Sequence, residues 1–596
     1  MTGFIDIVIA FIGTLLFPKW ISDESLSFSN SLFSVVLFGL LFLLLHRERN
    51  QEEDRRLSRL SLIPGFLFSF MTACGYSLNH LGTVSFCSVF LSIIAYTWIL
   101  SRLLCLLWRA LRETEKRLSR RPETVIGRKV RRFIGWAGKH PAVIGAFLFL
   151  CWMPCFLADF PGGFRYDAAE EFAQLSEGYN GSFPLLHTVI ITRLMDGFYR
   201  LTGSYNTGVA VYVLLQMVLI VAMYSHMFGT FIRKGINRTL IACLIVFTGL
   251  FPVIQILAVQ EVRDVMFASL LVYTVFLFYL LITDREGFLG SLWKPVLLGF
   301  MLVLTLLARN NNAGPMMIVL VVAVCALIWL LCRKINLKGA TAFAVTGIGA
   351  YLLIGALLTA LCRPLVPAEQ GGALSIMSQP LARAYVMEPE TWTPEEAFEL
   401  NNFMNLDGME YVPENADNTK DRIRYDTFGN FAGFFFRMAK KHPGCFIDAV
   451  LENTKYMWFP ASVVDGYNSS GIPSYEGFDK CYYSIKAHLD EPAEHRNLLP
   501  KVLDFYTSIG LRISFEKIPV VSMLFSIGFQ YWMLLNTFFY LIYRKKKELL
   551  LPVGMLLLYM LISSLVPLIV LRYFASVFLA IPLTVCITLQ PEAAGH

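Results

Sequence analysis

The sequence has unusually few charged residues. Asp, Glu, Lys and Arg make up 16% of its 596 residues, whereas hydrophobic residues make up 56%. Because soluble domains contain about 25% charged residues, this composition excludes an ordinary soluble enzyme. It predicts an all-α polytopic membrane protein, since helices satisfy their own backbone hydrogen bonds within lipid.

Several motifs are also absent. The sequence contains neither a Cys/His spacing typical of zinc sites nor a glycine-rich phosphate-binding loop, which argues against soluble nucleotide-sugar chemistry. The first apolar run lacks a preceding basic segment, so no cleavable signal peptide is expected. The net charge of +7 arises from short basic loops between apolar runs and does not indicate nucleic-acid binding. Most cysteines lie in apolar runs, but Cys445 and Cys481 lie in a polar segment and could pair.

Apolar runs long enough to cross a hydrocarbon core of about 30 Å occur about fourteen times. With both termini in the cytoplasm, the basic loops between them all fall on the cytoplasmic side, as the positive-inside rule requires. These basic loops are 46–60, 109–140, 233–238, 333–338 and 544–547. The segments that then face outward are 159–205, 259–264, 309–314 and 363–517, together with Arg572 and Tyr573 at the end of a span.

The basic stretch divides the chain into parts. The predicted parts are an accessory bundle of about four spans at 1–108, a basic cytoplasmic linker at 109–140, a transmembrane core at 141–362 that includes the first outer loop 159–205, an extracytoplasmic domain at 363–517, and C-terminal spans at 518–596. The extracytoplasmic segment is too long for a plain loop. Its residues Thr393 to Glu396 predict a helix start with a proline in the first turn.

The first outer loop contains the densest group of acidic residues next to a predicted span. Asp167 precedes the helix-compatible run AAEEFAQLSE, and with Glu170 it matches a capping box. A carboxylate at this position could instead accept a proton from an acceptor hydroxyl. Asp159 ends a span, where it is either a solvated helix terminus or a second catalytic candidate. His187, within FPLLHTVII, is either a hydrogen-bonded interfacial residue or a participant in the chemistry.

The turn formed by Glu261, Val262, Arg263 and Asp264 is costly at a membrane surface unless its charges are satisfied. The charges either form an ion-pair network or face a polar cavity. Arginine binds phosphate through a planar, bidentate fork, so several arginines at one membrane surface suit a lipid-linked phosphate. Each of them singly could also reach the headgroups by snorkelling. The arginines concerned are Arg165, Arg263, Arg309 and Arg572, and Asn310 and Tyr573 follow two of them directly.

Seven stretches together carry a family resemblance over about 141–590. They are FRYDAAEEFAQ with FPLLHT, QEVRDVMFASLL, LARNNNAG, EYVPENADNTKDRIRY, HPGCFIDAVLENTKYMWFP and VLRYFASVFLAIP. An acidic first outer loop that closes with an aromatic–Pro–Leu–Leu–His run resembles the GT-C class of integral-membrane glycosyltransferases, which includes the protein O-mannosyltransferase and aminoarabinose transferase families. The core is most similar to an uncharacterised bacterial membrane family found mostly in Gram-positive organisms.

The resemblance implies transfer of a sugar from a polyprenyl-phosphate donor to a glycan, lipid or protein acceptor of the cell envelope, on the outer face, by a single inverting displacement. It implies Asp167 as the base, with Asp159 second. The substrate-binding candidates are Arg165, Glu170, His187, Glu261, Arg263, Asp264, Arg309, Asn310, Arg572 and Tyr573. A divalent cation such as Mg²⁺ or Mn²⁺ is compatible with these carboxylates but is not required by their spacing.

Two other classes are compatible with the sequence. An O-antigen ligase or polymerase would place its essential residues in the large outer segment, at Arg383, Arg422, Arg424 and His442. A lipid-linked glycan flippase or transporter would require polar residues at mid-membrane depth and inverted repeats. The clustering of charge at one surface favours the transferase over the flippase.

Overall fold

The structure, a computed structural model, describes most of the chain. The described residues are 2–16, 32–49, 55–79, 85–120, 125–164, 167–309, 337–365, 375–413, 416, 419, 422–424, 430–459, 496–510, 524–564 and 569–590. They form a predominantly helical membrane protein, which confirms the predicted class.

The N-terminal part is a group of packed helices. They are α1 (Thr2–Leu16), α2 (Leu32–Arg49), α3 (Arg55–Asn79) and α4 (Phe86–Arg120), and they are followed by α5 (Val125–Ala137), which packs against the central part instead. The expected boundary at 108 falls inside α4, because its helical sequence continues through the basic residues to Arg120. This group is fastened to the C-terminal helices, since the Trp108 indole donates to Asn536 Oδ1 at 2.8 Å and Arg544 pairs with Glu115 at 2.5 Å.

The central part contains the most deeply buried helices. Its elements are α6 (Pro141–Ala158), β1 (Gly163–Phe164), α7 (Asp167–Glu177), α8 (Leu185–Thr202), α9 (Tyr205–Arg233), α10 (Arg238–Leu250), α11 (Pro252–Ala258), β2 (Gln260–Glu261), α12 (Arg263–Thr283), α13 (Arg285–Leu289), α14 (Trp293–Leu307) and α15 (Leu337–Leu361). Nearly every residue of α12 is buried, whereas α15 exposes most of its apolar side chains. In a membrane, α12 is therefore the central helix and α15 faces lipid.

One span in this part is broken. The helices α10 and α11 meet at an angle of 58°. Pro252 lacks the N–H that would continue α10 and occupies the first turn of α11 instead. The chain changes direction at this break, and α11 then leads into β2.

Most of the described residues of the outer segment are helical, and Met404 and Ile423 form an isolated antiparallel bridge between them. Its helices are α16 (Ser375–Met387), a 3₁₀ turn (Pro389–Thr391), α17 (Pro394–Phe403), α18 (Phe431–Lys441), α19 (Pro443–Trp458) and α20 (Pro500–Gly510). The predicted start of α17 is confirmed: Glu396 N–H donates to Thr393 Oγ1 at 3.2 Å, and Thr393 N–H donates to Glu396 Oε2 at 2.9 Å. Cys445 is a buried free thiol, and Cys481 lies outside the described residues.

The C-terminal part closes the bundle. Its elements are α21 (Ile527–Tyr543), a 3₁₀ turn (Lys547–Leu549), α22 (Leu550–Ser563), a 3₁₀ turn (Leu571–Phe574), α23 (Ala575–Leu579) and α24 (Ile581–Thr588). These helices share one continuous apolar core with α5 to α14. Within the described part of the chain, seven helices are long and apolar enough to cross a membrane, or eight if α10 and α11 form one span.

Candidate functional site

Two segments far apart in sequence are joined at one end of the bundle. β1 pairs in parallel with β2, placing Gly163 opposite Gln260 and Phe164 opposite Glu261. The approach is close, since a Cβ on Gly163 would come within 2.2 Å of the end of the Gln260 side chain, which would then have to move. Gly162 adopts φ +118°, a conformation that L-residues rarely adopt. The first outer loop and the turn after α11 are thereby held together.

Next to this pairing lies a buried group that we name the His187 cluster, formed by Glu171, His187, Tyr212, Glu261 and Arg263. Glu171 comes from α7 and is fully buried. His187 Nδ1 lies 2.7 Å from Glu171 Oε2, and the hydroxyl of Thr188 donates to the same oxygen at 3.0 Å. Arg263 Nη1 lies 3.4 Å from the other oxygen of Glu171. A buried carboxylate is thus satisfied from three sides, as burial of its charge requires.

The second nitrogen of His187 is also engaged. Nε2 lies 2.9 Å from the Tyr212 hydroxyl and 3.4 Å from Glu261 Oε1. The Tyr212 hydroxyl donates to Gln216 Oε1 at 3.3 Å, and the Gln216 amide donates to the Gln260 carbonyl at 2.6 Å. His187 therefore connects a carboxylate from the first loop to one from β2, and the network reaches the β2 backbone.

A second group, which we name the Asp264 cluster, consists of Asp264, Arg309, Tyr559, Arg572 and Tyr573. Asp264 Oδ1 lies 3.1 Å from Arg309 Nη1, and Oδ2 lies 3.7 Å from Arg572 Nε. Arg309 also donates to the Tyr559 hydroxyl at 2.9 Å, which in turn donates to the Tyr573 carbonyl at 2.8 Å. The Tyr573 ring lies 5.1 Å from each guanidinium carbon, a cation–π distance.

The two clusters adjoin because Arg263 and Asp264 are consecutive residues in the first turn of α12. The two clusters hold three carboxylates (Glu171, Glu261 and Asp264) and three guanidinium groups (Arg263, Arg309 and Arg572), so these groups balance in formal charge. Such a set of paired but buried charges is expensive to assemble merely for stability. It is a candidate site for an anionic group that exchanges with one of the carboxylates.

The other sequence-predicted residues lie at various places around the clusters. Asp159 is buried at the C-terminus of α6. Asp167 is the first residue of α7, but its side chain is not among those described. Its role in a capping box therefore stays a prediction. Glu170 lies on the exposed side of α7, away from Glu171. Arg165 and Asn310 lie outside the described residues.

Sequence reasoning did not select Glu171, Tyr212, Gln216 or Tyr559. Glu171 could have been found from helical spacing, because it lies three residues after Ala168 and four before Leu175, on one apolar face of the helix. Glu170 falls off that face. The tyrosines carry no such signal, since a tyrosine in an apolar span is ordinarily a packing residue.

The outer segment contains a separate polar group around Arg383. Arg383 Nη1 lies 2.5 Å from Glu452 Oε2, and its Nη2 lies 3.3 Å from Asp448 Oδ2. The Tyr411 hydroxyl donates to the same Glu452 oxygen at 2.6 Å. Burial raises the pKa of Glu452 above its usual value, although the contacts with Tyr411 and Arg383 oppose this shift. Arg383 is thus fixed by carboxylates of α19.

The other candidates of the ligase alternative divide into two kinds. His442 Nδ1 lies 2.6 Å from Glu388 Oε2, and this contact lowers the pKa of Glu388. Arg422 donates to backbone carbonyls at Asp407 and Gly408, which is a loop-bracing role. Arg424 is exposed. Only Arg383 and His442 therefore belong to buried polar groups.

Among the residues that the structure describes, no group of three or more His, Cys, Asp or Glu side chains could hold a metal ion. The carboxylates of the two clusters are instead engaged by arginine and histidine.

Comparison with known proteins gives one family. The model of a family of unknown function, DUF6020, matches residues 179–592. The match includes His187, Glu261 and the whole Asp264 cluster, and it begins after the acidic part of the first loop. No curated protein and no solved structure matches the chain.

Proposed function

Since the chain belongs to DUF6020, a family of unknown function, its activity has to be inferred from its own residues, and we propose that it is a GT-C-type membrane glycosyltransferase. It moves a sugar from a polyprenyl-phosphate donor to a hydroxyl of a cell-envelope acceptor, with inversion. The observation that carries the proposal is the convergence of the His187 and Asp264 clusters at one end of an apolar helical bundle.

The proposed architecture has about fourteen spans around a GT-C-like core. Both termini lie in the cytoplasm, and 363–517 lies outside. In support, the seven or eight long spans of the described residues are accompanied by shorter apolar helices, namely Phe4–Leu16, Ser34–Arg47 and Trp293–Leu307. The predicted span at 315–332 lies outside the described residues.

The Asp264 cluster is the proposed donor-phosphate site. Arg572 is the most accessible of its ionised side chains, with 12% exposure, and its contact with Asp264 is the longer one at 3.7 Å. An incoming phosphate therefore displaces this contact first, while Arg309 stays fixed by Tyr559. As the bond from the sugar to the phosphate oxygen breaks, its electron pair passes to that oxygen. The two guanidinium groups stabilise the resulting charge.

A carboxylate of the first loop takes the acceptor proton. Asp167 is the proposed base and Asp159 the second candidate, because both flank the strand β1 that pairs with β2. The acceptor oxygen attacks the anomeric carbon while its proton passes to the carboxylate. The His187 cluster forms the adjoining part of the proposed site, with Glu171 orienting His187 through Nδ1.

The test uses membranes that contain the full chain and a panel of polyprenyl-phosphate sugars, with release of polyprenyl phosphate as the readout. Asp167→Asn is expected to reduce release by at least about 100-fold, the lower range for loss of a general base. Glu177→Gln, an exposed change on the same helix, is the matched control and keeps full activity. Full release by Asp167→Asn would refute the base assignment, and no release from any donor by the unaltered chain would refute the function.

The proposed topology has its own test. A cysteine introduced at Glu395, an exposed residue of α17, is expected to react with a membrane-impermeant maleimide from outside intact cells. The exposed Cys87 and Cys243 are first replaced by serine, together with Cys325, Cys332 and Cys481, which lie outside the described residues. Labelling that occurs only after the membrane is opened would overturn the orientation.

The ligase or polymerase class stays the second candidate because of the buried Arg383 group. A ligase would depend on Arg383 and tolerate Asp167→Asn. Arg383→Gln and Asp167→Asn, assayed side by side for glycan transfer, therefore separate the two classes, provided that both variants keep their elution volume in size-exclusion chromatography.

A further inference from the structure

The helix α5 is a basic amphipathic helix fixed at the membrane surface. It ends at Ala137, and the candidate span α6 begins at Pro141. On its other side, the candidate span Phe86–Glu115 of α4 leads into it. Because a span follows after three residues, α5 has to lie at the boundary between lipid and water.

One face of α5 is bound to the protein. Ile134 and Ala137 are buried in the main core, and Val130 packs against it. The contact is close, since a Cβ on Gly138 would come within 2.5 Å of the Ile232 side chain. Arg238 of α10 reaches across to donate to the Arg131 carbonyl at 3.4 Å. The helix is therefore held in one rotation about its axis.

The neighbouring face is uncovered and combines aromatic with basic residues. Phe133 is 55% exposed and Trp136 is 48% exposed, with their ring centroids 5.7 Å apart. Lys129 and Arg132 are exposed at positions one helical turn before them. Between Glu123 and Asp159 the sequence contains no acidic residue, so nothing within the helix neutralises these charges.

We propose that α5 is a binding surface for anionic phospholipid headgroups. Trp136 and Phe133 insert at the level of the headgroups, where aromatic rings are favoured. Lys129, Arg132 and the exposed Arg128 then face lipid phosphates and anionic head groups. The mixture of inserted rings and uncompensated positive charge selects a negatively charged lipid over a zwitterionic one. This inference is independent of the proposed enzymatic activity.

The test measures which lipid touches Trp136. The full chain is reconstituted in nanodiscs that contain equal amounts of phosphatidylglycerol and phosphatidylcholine, and either one or the other is dibrominated so that it quenches tryptophan. The difference between the unaltered chain and Trp136→Phe isolates the signal of Trp136. Because each basic residue near the surface favours an anionic lipid by about fivefold, we expect a preference of roughly 5- to 25-fold for phosphatidylglycerol.

Lys129→Gln with Arg132→Gln is expected to reduce that preference about fivefold or more, leaving at most the contribution of Arg128, since both substituted side chains are exposed and the fold does not depend on them. Lys440→Gln, an exposed charge on α18, is the matched control and leaves the preference unchanged. Raising the salt from 0.05 to 0.5 M reduces the preference of the unaltered chain by screening. Equal quenching by the two lipids, no quenching by either, or an unchanged preference in the double variant would each overturn the proposal.

Discussion

Removal of the charge of Asp264 tests whether the Asp264 cluster is the electrostatic unit described above. Asp264→Asn preserves shape but leaves Arg309 and Arg572 without the carboxylate that lies 3.1 and 3.7 Å from them. Breaking a buried ion pair costs roughly 3–5 kcal/mol, because the remaining charge stays buried. Arg309 retains its hydrogen bond to Tyr559, so we expect the free energy of unfolding to fall by the lower end of this range, about 3 kcal/mol.

The assay is thermal unfolding of the detergent-purified chain at a fixed scan rate, followed with a thiol-reactive dye on its buried cysteines. At roughly 2 °C per kcal/mol for a large chain, Asp264→Asn lowers the apparent Tm by about 6 °C. Asp448→Asn is the control, because its partner Arg383 keeps Glu452. Its 36% exposed side chain predicts a shift below about 2 °C.

A second variant tests whether the unpaired guanidinium group of Arg309 causes the loss of stability. Asp264→Asn combined with Arg309→Met removes both members of the closer pair, so most of the lost stability is expected to return. A Tm for Asp264→Asn equal to that of the unaltered chain, or a double variant less stable than the sum of the single changes, would refute this account of the cluster.

Three further predictions concern other parts of the molecule. Gly162→Ala would place a Cβ within 2.5 Å of Val213 at a φ of +118°, so it should abolish turnover of the sugar donor while immunoblots show normal insertion into the membrane. Gly197→Ala is the control, because a Cβ there meets open space, and it should leave turnover unchanged. Burial raises the pKa of Cys445 to about 11, so mass spectrometry after iodoacetamide treatment at pH 8 should find it unmodified and the exposed Cys87 modified. The pKa of Glu388 is lowered by its histidine partner, so its contribution to stability is complete above the ordinary glutamate pKa of about 4.3 and is lost as the pH falls through the lower folded value. In a plot of Tm against pH, Glu388→Gln should therefore reduce the fall of Tm at acidic pH. An unchanged fall of Tm in this variant would contradict the prediction.

Much of the site's general location follows from the sequence. Composition predicts the helical membrane class, and the topology predicted from the basic loops puts 159–205, 259–264, 309–314 and Arg572 on one side. In the structure, β1 and β2 bring two of these segments into contact, and Asp264 brings Arg309 and Arg572 together. Basic loops and span lengths are local properties, so they are readable from sequence.

The identity of each partner is not readable in the same way. Arg263 and Asp264 are neighbours in sequence, yet Arg263 pairs with Glu171 whereas Asp264 pairs with residues of later segments. Which side chain meets which depends on the rotation of each helix about its axis, and that rotation is set by packing across the whole bundle. The burial of Glu171 rather than Glu170 has the same origin.

The pairing of β1 with β2 also constrains when the site can form during synthesis of the chain. Gly163 leaves the ribosome about a hundred residues before Gln260, and at roughly 5–20 residues per second this is a delay of about 5–20 s. During that interval β2 has not yet been synthesised, so Glu171 and His187 cannot contact it, and α8 to α11 are still being inserted into the membrane. A nascent chain arrested before Gln260 would therefore lack the β1–β2 pairing, and the His187 cluster can be completed only after α8 to α11 have been synthesised.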